Sequence, residues 1–95
     1  MALSEADIQT ALTDLNGWQH SNGMIHKTYD LPSYPAGIMF AAAVGTVAEA
    51  LGHHPDMAIG YKKVTVAFTT HDDGNVVTQK DVDAAKAVEA IGYPA

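Results

Sequence analysis

The sequence predicts an α+β domain of two layers, a four-stranded antiparallel sheet with helices packed on one face. Two observations carry this expectation. After an N-terminal helical stretch a strand-strand-helix pattern occurs twice, giving the order helix then β-β-α-β-β-α. The first strand pair is joined by Asn22-Gly23, the strongest two-residue hairpin signal in the chain, because both central positions of a type I′ turn need positive φ. With 95 residues, 47% hydrophobic and 17% charged, the chain is expected to fold as a single domain over 1–95. The core of so small a domain is thin, which favours oligomerisation.

The elements follow in order. Ser4 is placed to cap a helix over residues 4 to 15, with Asp7 in its acidic first turn, Ile8, Ala11, Leu12 and Leu15 at helical spacing, and Leu3 and Ile8 as a staple across the cap. Asn16-Gly17 ends it. The hairpin is expected as Trp18 to Ser21 and Met24 to Asp30, with Ile25, Lys27 and Tyr29 on one face. His20 and His26 are expected to be solvated strand residues. After the break at Leu31 to Pro35, a long helix is predicted from about Ala36 to Leu51, its stripe formed by Phe40, Val44, Val47 and Leu51 and its other faces smoothed by alanine and glycine. Gly52 closes it in a left-handed cap. Met57 to Tyr61 and Val64 to His71 read as the second strand pair, Val64, Val66 and Phe68 facing one way and Thr65, Ala67, Thr69 and His71 the other. Asp72 to Asn75 is a loop by composition. Thr78 and Asp81 form a capping-box-like start for the last helix, with Val82, Ala85, Val88 and Ile91 as its stripe and Gly92 and Pro94 as its stop.

Composition narrows the function classes. The absence of cysteine removes disulfides, thiolate zinc sites and thiol nucleophiles. A net charge of -6 offers no footprint for phosphate backbones or anionic lipid, so neither direct nucleic-acid binding nor membrane association is expected. The first residues lack the basic and apolar segments of a signal peptide, making a cytoplasmic protein the expectation.

Glu49 to His71 holds three of the five histidines: His53, His54 and His71. Glu49 and His53 lie four apart and would share a helical face, where the carboxylate could fix an imidazole tautomer. His54 is displaced from that face by the bend at Pro55, and His71 arrives at the end of a strand, so three imidazoles could meet in one pocket suited to general acid/base work. Spacing alone leaves two other possibilities. One is a metal site, although adjacent histidines lack the i, i+4 pairing of helical metal motifs. The other is a plain capping role at the helix C-terminus. No serine lies beside the cluster, and no nucleophile elbow or phosphate loop occurs.

Glu49-x-x-x-His53-His54-Pro55, followed by Tyr61, His71 and Asp81, resembles the signature of the pterin-4a-carbinolamine dehydratases. The likeness extends to Gly17-Trp18, the long middle helix, the Tyr61 to Val64 segment and Thr70-His71-Asp72. The resemblance implies a dehydratase that removes water from 4a-hydroxytetrahydropterin to give the quinonoid dihydropterin, in the recycling of tetrahydrobiopterin. It implies His53 and His71 as the acid/base pair and His54 as a residue that binds and orients the pterin. Glu49 and Asp81 would support the histidines or the ring's polar edge, with Trp18 and Pro55 at the pterin site, Trp18 having a core role as its other reading. No metal and no organic cofactor is implied. A homodimer or homotetramer is, with sheets joined edge to edge. A non-catalytic regulatory or dimerisation partner is the alternative role. The chain departs from the family pattern at Gly52, in place of an asparagine, at Met57, in place of an aromatic residue, and at Lys80, in place of an arginine. Its loop between His71 and Asp81 is about one residue longer than in some relatives.

Overall fold

The structure, a computed structural model, describes residues 2–92. Ser4 caps helix α1 (Glu5–Leu12), its hydroxyl accepting the Asp7 amide at 3.1 Å. The helix ends earlier than the expected residue 15. The amides of Thr13, Asp14 and Leu15 bond carbonyls three residues back, which tightens the last turn and swings Leu15 into the core.

Strands β1 (Gln19–Ser21) and β2 (Met24–Asp30) form the hairpin, with Asn22 at φ 53° and Gly23 at φ 74° as a type I′ turn demands. Trp18 precedes the strand rather than opening it. Helix α2 (Tyr34–Leu51) begins two residues before the expected Ala36, because Ser33 is the cap and Pro35 sits in the first turn, where a missing N–H breaks no helical bond. Strand β3 is Asp56–Ile59, shorter than expected, since Gly60 turns and donates its amide to the Lys63 carbonyl at 2.7 Å. Strand β4 (Lys63–Phe68) stops before Thr69. His71 is therefore not a strand residue; it opens the short 3₁₀ turn η1 (His71–Asp73). Helix α3 (Gln79–Glu89) starts from a complete capping box between Thr78 and Asp81. Pro94, expected to stop it, lies outside the described residues.

The sheet order is β1-β2-β4-β3, antiparallel throughout, with the helices on one face. Ile25 and Tyr29 of β2 and Val64, Val66 and Phe68 of β4 point to that face, against Phe40 and Val44 of α2 and Val82, Ala85 and Val88 of α3. Full burial of each large side chain contributes about 1.5–3 kcal/mol. The buried stripe of α2 runs through Ala36, Gly37, Phe40, Ala41, Val44 and Ala48, so Leu51, expected in it, is exposed. Eleven residues are about three turns, so Leu51 keeps the line of the stripe; it is exposed because it stands in the last turn of α2, beside an open cleft shared with Gly52, His53 and Lys80. By length and composition alone α2 could cross a membrane, but here its buried side is a wall of the core.

Candidate active site

Gly52 decides where the two adjacent histidines go. It adopts the left-handed conformation (φ 68°), and the amides of Gly52 and His53 close on the carbonyls of Glu49 and Ala48, each at 3.2 Å. The chain reverses there, and the two imidazoles diverge. His53 turns inward, its side chain 16% exposed, and its ring lies nearly parallel to Phe68 at 5.8 Å between centroids. His54 turns outward and pairs with Glu49 through a 2.7 Å Nε2–Oε1 contact at the surface. Glu49 thus supports His54 and not His53, contrary to the four-residue spacing, because the helix no longer sets the direction of the chain after Gly52.

The partner of His53 is Asp81. His53 Nε2 lies 2.6 Å from Asp81 Oδ1, and the carboxylate is fully buried. Asp81 Oδ2 accepts the Thr70 hydroxyl and the Thr78 amide, both at 2.8 Å. Thr70 and Thr78 hydroxyls are 2.7 Å apart, and Thr78 Oγ1 also accepts the Lys80 amide at 3.2 Å. An ionised carboxylate only accepts, so Thr70 donates to Asp81 and receives from Thr78. Every donor in this buried network has a partner, and His53 is left to donate from Nε2 with its lone pair on Nδ1.

His71 arrives from the other side, its Nδ1 2.8 Å from Asn75 Oδ1. His53, His54, Thr70, His71 and Lys80 all line one cleft of about 180 Å³. A second cleft of about 280 Å³ adjoins it across His53 and Lys80, reaching Leu51 and Asp83. The three histidines singled out in the sequence therefore converge. The remaining expected site residues sit differently: Glu49 is at the rim through His54, and Pro55 leads into β3. Trp18 is buried and stacks at 6.1 Å on Phe68, the ring on which His53 also rests. It faces the core and reaches the cleft only through Phe68.

A larger cleft, about 530 Å³, lies elsewhere, between α1 and β1, and is lined by Trp18, His20 and His26 among others. There His20 pairs with Glu5 at 3.0 Å and His26 with the Ser21 hydroxyl at 2.9 Å. It has no buried carboxylate behind either imidazole, so convergent chemistry points to the smaller site. Among the described residues, no group of three or more histidine, aspartate or glutamate side chains is placed to hold a metal ion.

The family model for pterin 4 alpha carbinolamine dehydratase matches residues 1–91. The chain belongs to the pterin-4-alpha-carbinolamine dehydratase family. A protein of Roseiflexus sp. (strain RS-1) named "Putative pterin-4-alpha-carbinolamine dehydratase" is 48% identical over 89 residues, covering 94% of this chain and 95% of that one. A relative of the same name from Opitutus terrae is 42% identical, covering 96% of this chain and 94% of the other. Among solved structures, a transcriptional coactivator/pterin dehydratase from Brucella melitensis superposes with a TM-score of 0.88 at 31% identity, covering 96% of this chain and 98% of that one. A pterin dehydratase-like protein described as a RuBisCO assembly factor in the alpha-carboxysome shares the fold, with a TM-score of 0.63 at 22% identity, covering 82% of this chain and 89% of that one.

Two features of this pterin dehydratase family member were not singled out in the sequence. Asn75, read as loop composition, is the partner of His71. Glu89 receives Trp18 Nε1 at 3.2 Å, Lys27 Nζ at 3.0 Å and the Tyr29 hydroxyl, all on one oxygen. Burial opposes ionisation of Glu89, yet the hydrogen bonds from Tyr29, Lys27 and Trp18 outweigh it and hold the carboxyl below its ordinary range. Burial, with the Glu89 carboxylate beside it, pushes the Tyr29 phenol strongly upward. A sequence signal for Glu89 did exist: an acidic residue in the last turn of a helix opposes the helix dipole and calls for a specific partner.

Proposed function

We propose that the chain is a hydro-lyase acting on 4a-hydroxytetrahydropterin, removing water to give the quinonoid dihydropterin by histidine general acid/base catalysis. The observation that carries this is the convergence of His71 with the Asp81-backed His53 on one cleft. The reaction takes a proton from N5 of the pterin and delivers one to the departing C4a hydroxyl, so the site needs two groups that exchange protons near neutral pH. His53 and His71 are the acid/base pair in this reading. Asp81 holds the His53 proton on Nε2, leaving Nδ1 to exchange, and would stabilise the imidazolium when it forms. His54, steadied by Glu49 at the rim, binds and orients the ring, with Pro55 fixing the path of the chain beside it. Trp18 supports Phe68, on which His53 rests. No metal and no organic cofactor takes part.

The physiological setting in this reading is cytoplasmic recycling of tetrahydrobiopterin, with the pterin substrate as its small-molecule partner. A homodimer or homotetramer is supported by the exposed apolar side chains Met57 and Ile59 on edge strand β3 and Ile38 and Met39 on α2. A second reading, a non-catalytic regulatory or dimerisation partner, has the coactivator name of the Brucella relative in its favour.

The decay of synthetic 4a-hydroxytetrahydropterin, followed with and without the protein, separates the two. Acceleration over the spontaneous rate, lost in His53→Ala and in His71→Ala, is the outcome expected of the enzyme. A wild-type protein that adds nothing to the spontaneous rate sinks the catalytic reading. Loss in His54→Ala is expected to fall mainly on KM.

A further inference from the structure

We propose that Asn75 is a positioning residue for His71, selecting which ring nitrogen of that imidazole is free to exchange a proton in the cleft. In its bearing on catalysis this rests on His71 being one of the acid/base pair. A side-chain amide oxygen can only accept, so the 2.8 Å contact from His71 Nδ1 to Asn75 Oδ1 requires the proton on Nδ1. The neutral ring then carries its lone pair on Nε2, which makes no hydrogen bond among the described residues. His53 is fixed the other way, with the proton on Nε2 and the lone pair on Nδ1. The two imidazoles of the cleft are thus held in opposite tautomers, one by a buried carboxylate and one by a neutral amide.

The loop is built to present Asn75 in this way. Asn75 adopts positive φ (63°), which asparagine tolerates better than most residues. Its amide donates to the Thr70 carbonyl at 3.1 Å, the Gly74 amide to the His71 carbonyl at 3.0 Å, and the Thr70 amide to the Val76 carbonyl at 2.9 Å. The β1–β2 turn braces the loop from outside. Thr69 Oγ1 donates to the Gly23 carbonyl at 2.6 Å, and a Cβ at Gly23 would collide with the Asn75 carbonyl oxygen. His53, His54, Asp72 and Lys80 share the cleft with His71, and none of them is hydrogen-bonded to its ring. The tautomer is therefore set by Asn75.

Asn75→Gly deletes the side chain and keeps a residue at ease at positive φ, while Asn75→Asp keeps an acceptor and adds a charge. Long-range ¹⁵N–¹H correlation spectra of the full chain above the imidazole titration, with His71 assigned through His71→Gln, read the tautomer directly. The wild type is expected to carry the His71 proton on Nδ1; Asn75→Gly is expected to populate both tautomers, and Asn75→Asp to keep the wild-type one. In turnover, Asn75→Gly is expected to lower kcat about fivefold, the equivalent of one ordinary hydrogen bond, with KM within about twofold. A tautomer unchanged in Asn75→Gly overturns the proposal whether or not the chain is a dehydratase. An altered tautomer with unchanged kcat overturns its catalytic half. A protein with no turnover at all counts against the dehydratase reading, while the spectra still decide what Asn75 does.

Discussion

Asp81 gives one carboxylate oxygen to His53 and the other to the start of its own helix. Oδ1 faces His53 Nε2 at 2.6 Å, and Oδ2 accepts the Thr78 amide and the Thr70 hydroxyl. A helix cap and a histidine orienter are thereby the same group. The orientation of the imidazole is tied to the docking of α3, and any change in the N-terminal turn of α3 is transmitted to the cleft.

Asp81→Asn separates the two tasks. Asparagine has one acceptor and one donor end. If its oxygen keeps the Thr70 and Thr78 bonds, its NH₂ faces His53 and forces the proton to Nδ1, the nitrogen that the proposed acid/base role needs free. The expected outcome is a stability loss of about 1 kcal/mol by urea denaturation, with a fall in kcat of about a hundredfold. Asp81→Ala is expected to lose about 2–3 kcal/mol, since it removes the Asp81 arm of the capping box and leaves buried donors without a partner. Equal loss of stability in the two variants would show that Asp81 acts on His53 only through folding.

The contrast between Asp81 and Glu49 shows what the sequence does and does not reveal. The order of elements, the hairpin turn, the caps at Ser4 and Thr78 and the left-handed Gly52 are local, and local chemistry specifies them. The convergence of His53, His54 and His71 was legible because the sequence pattern is a family signature. The pairing inside the cluster was not, because i, i+4 reasoning holds only while the helix lasts and Gly52 ends it one residue before His53. The partner of His53 lies 28 residues away on another helix. The partners of Glu89 are distant in the same way, on the hairpin and just before it, so only its place in the last turn of α3 hints that it has any. Asn75 bonds His71 only four residues back, but across an irregular loop in which no helix or strand period sets side-chain direction.

Gly52 is the hinge on which the divergence of His53 and His54 depends. Gly52→Ala places a Cβ at φ 68°, with no neighbouring atom within 4 Å to clash, so the expected penalty is purely conformational, about 1 kcal/mol. Asparagine tolerates this region, and Gly52→Asn is expected to lie within about 0.5 kcal/mol of wild type with kcat retained. Thermal denaturation and turnover on both variants check this. Loss of activity in Gly52→Asn without loss of stability would mean that glycine is needed for ligand access and not for backbone shape.

The Glu49–His54 pair is expected to matter little to folding. Its side chains are 80% and 63% exposed, and ion pairs this solvated are screened and entropically costly. Glu49→Gln is expected to change stability by less than about 0.5 kcal/mol. Its effect should appear as a raised KM, because a less constrained His54 presents itself to the ligand less often. A drop in kcat at unchanged KM would instead place Glu49 among the groups that act in the chemical step.

Glu89 carries the clearest pH signature. Its folded carboxyl titrates below the ordinary value of 4.5, with burial opposing and the bonds from Tyr29, Lys27 and Trp18 prevailing. A carboxyl depressed on folding stabilises the native state fully above its unfolded value, and that contribution is lost as pH falls through the folded one. Glu89→Gln is therefore expected to be less stable than wild type by about 1–2 kcal/mol at pH 7. The gap should narrow as pH drops below about 4.5. The phenol of Tyr29 has the opposite sign. Raised by burial and by Glu89, it contributes stability below its unfolded value of 10.0 that is lost as pH rises above it. Urea midpoints for wild type, Glu89→Gln and Tyr29→Phe at pH 3.5, 7 and about 10.5 test both signs. Tyr29→Phe should remove the alkaline loss and leave part of the acid one, since Lys27 and Trp18 still hold Glu89. A gap between wild type and Glu89→Gln that stays constant down to the lowest pH would mean that the carboxylate's charge plays no part in holding Trp18, and through Phe68 His53, in place.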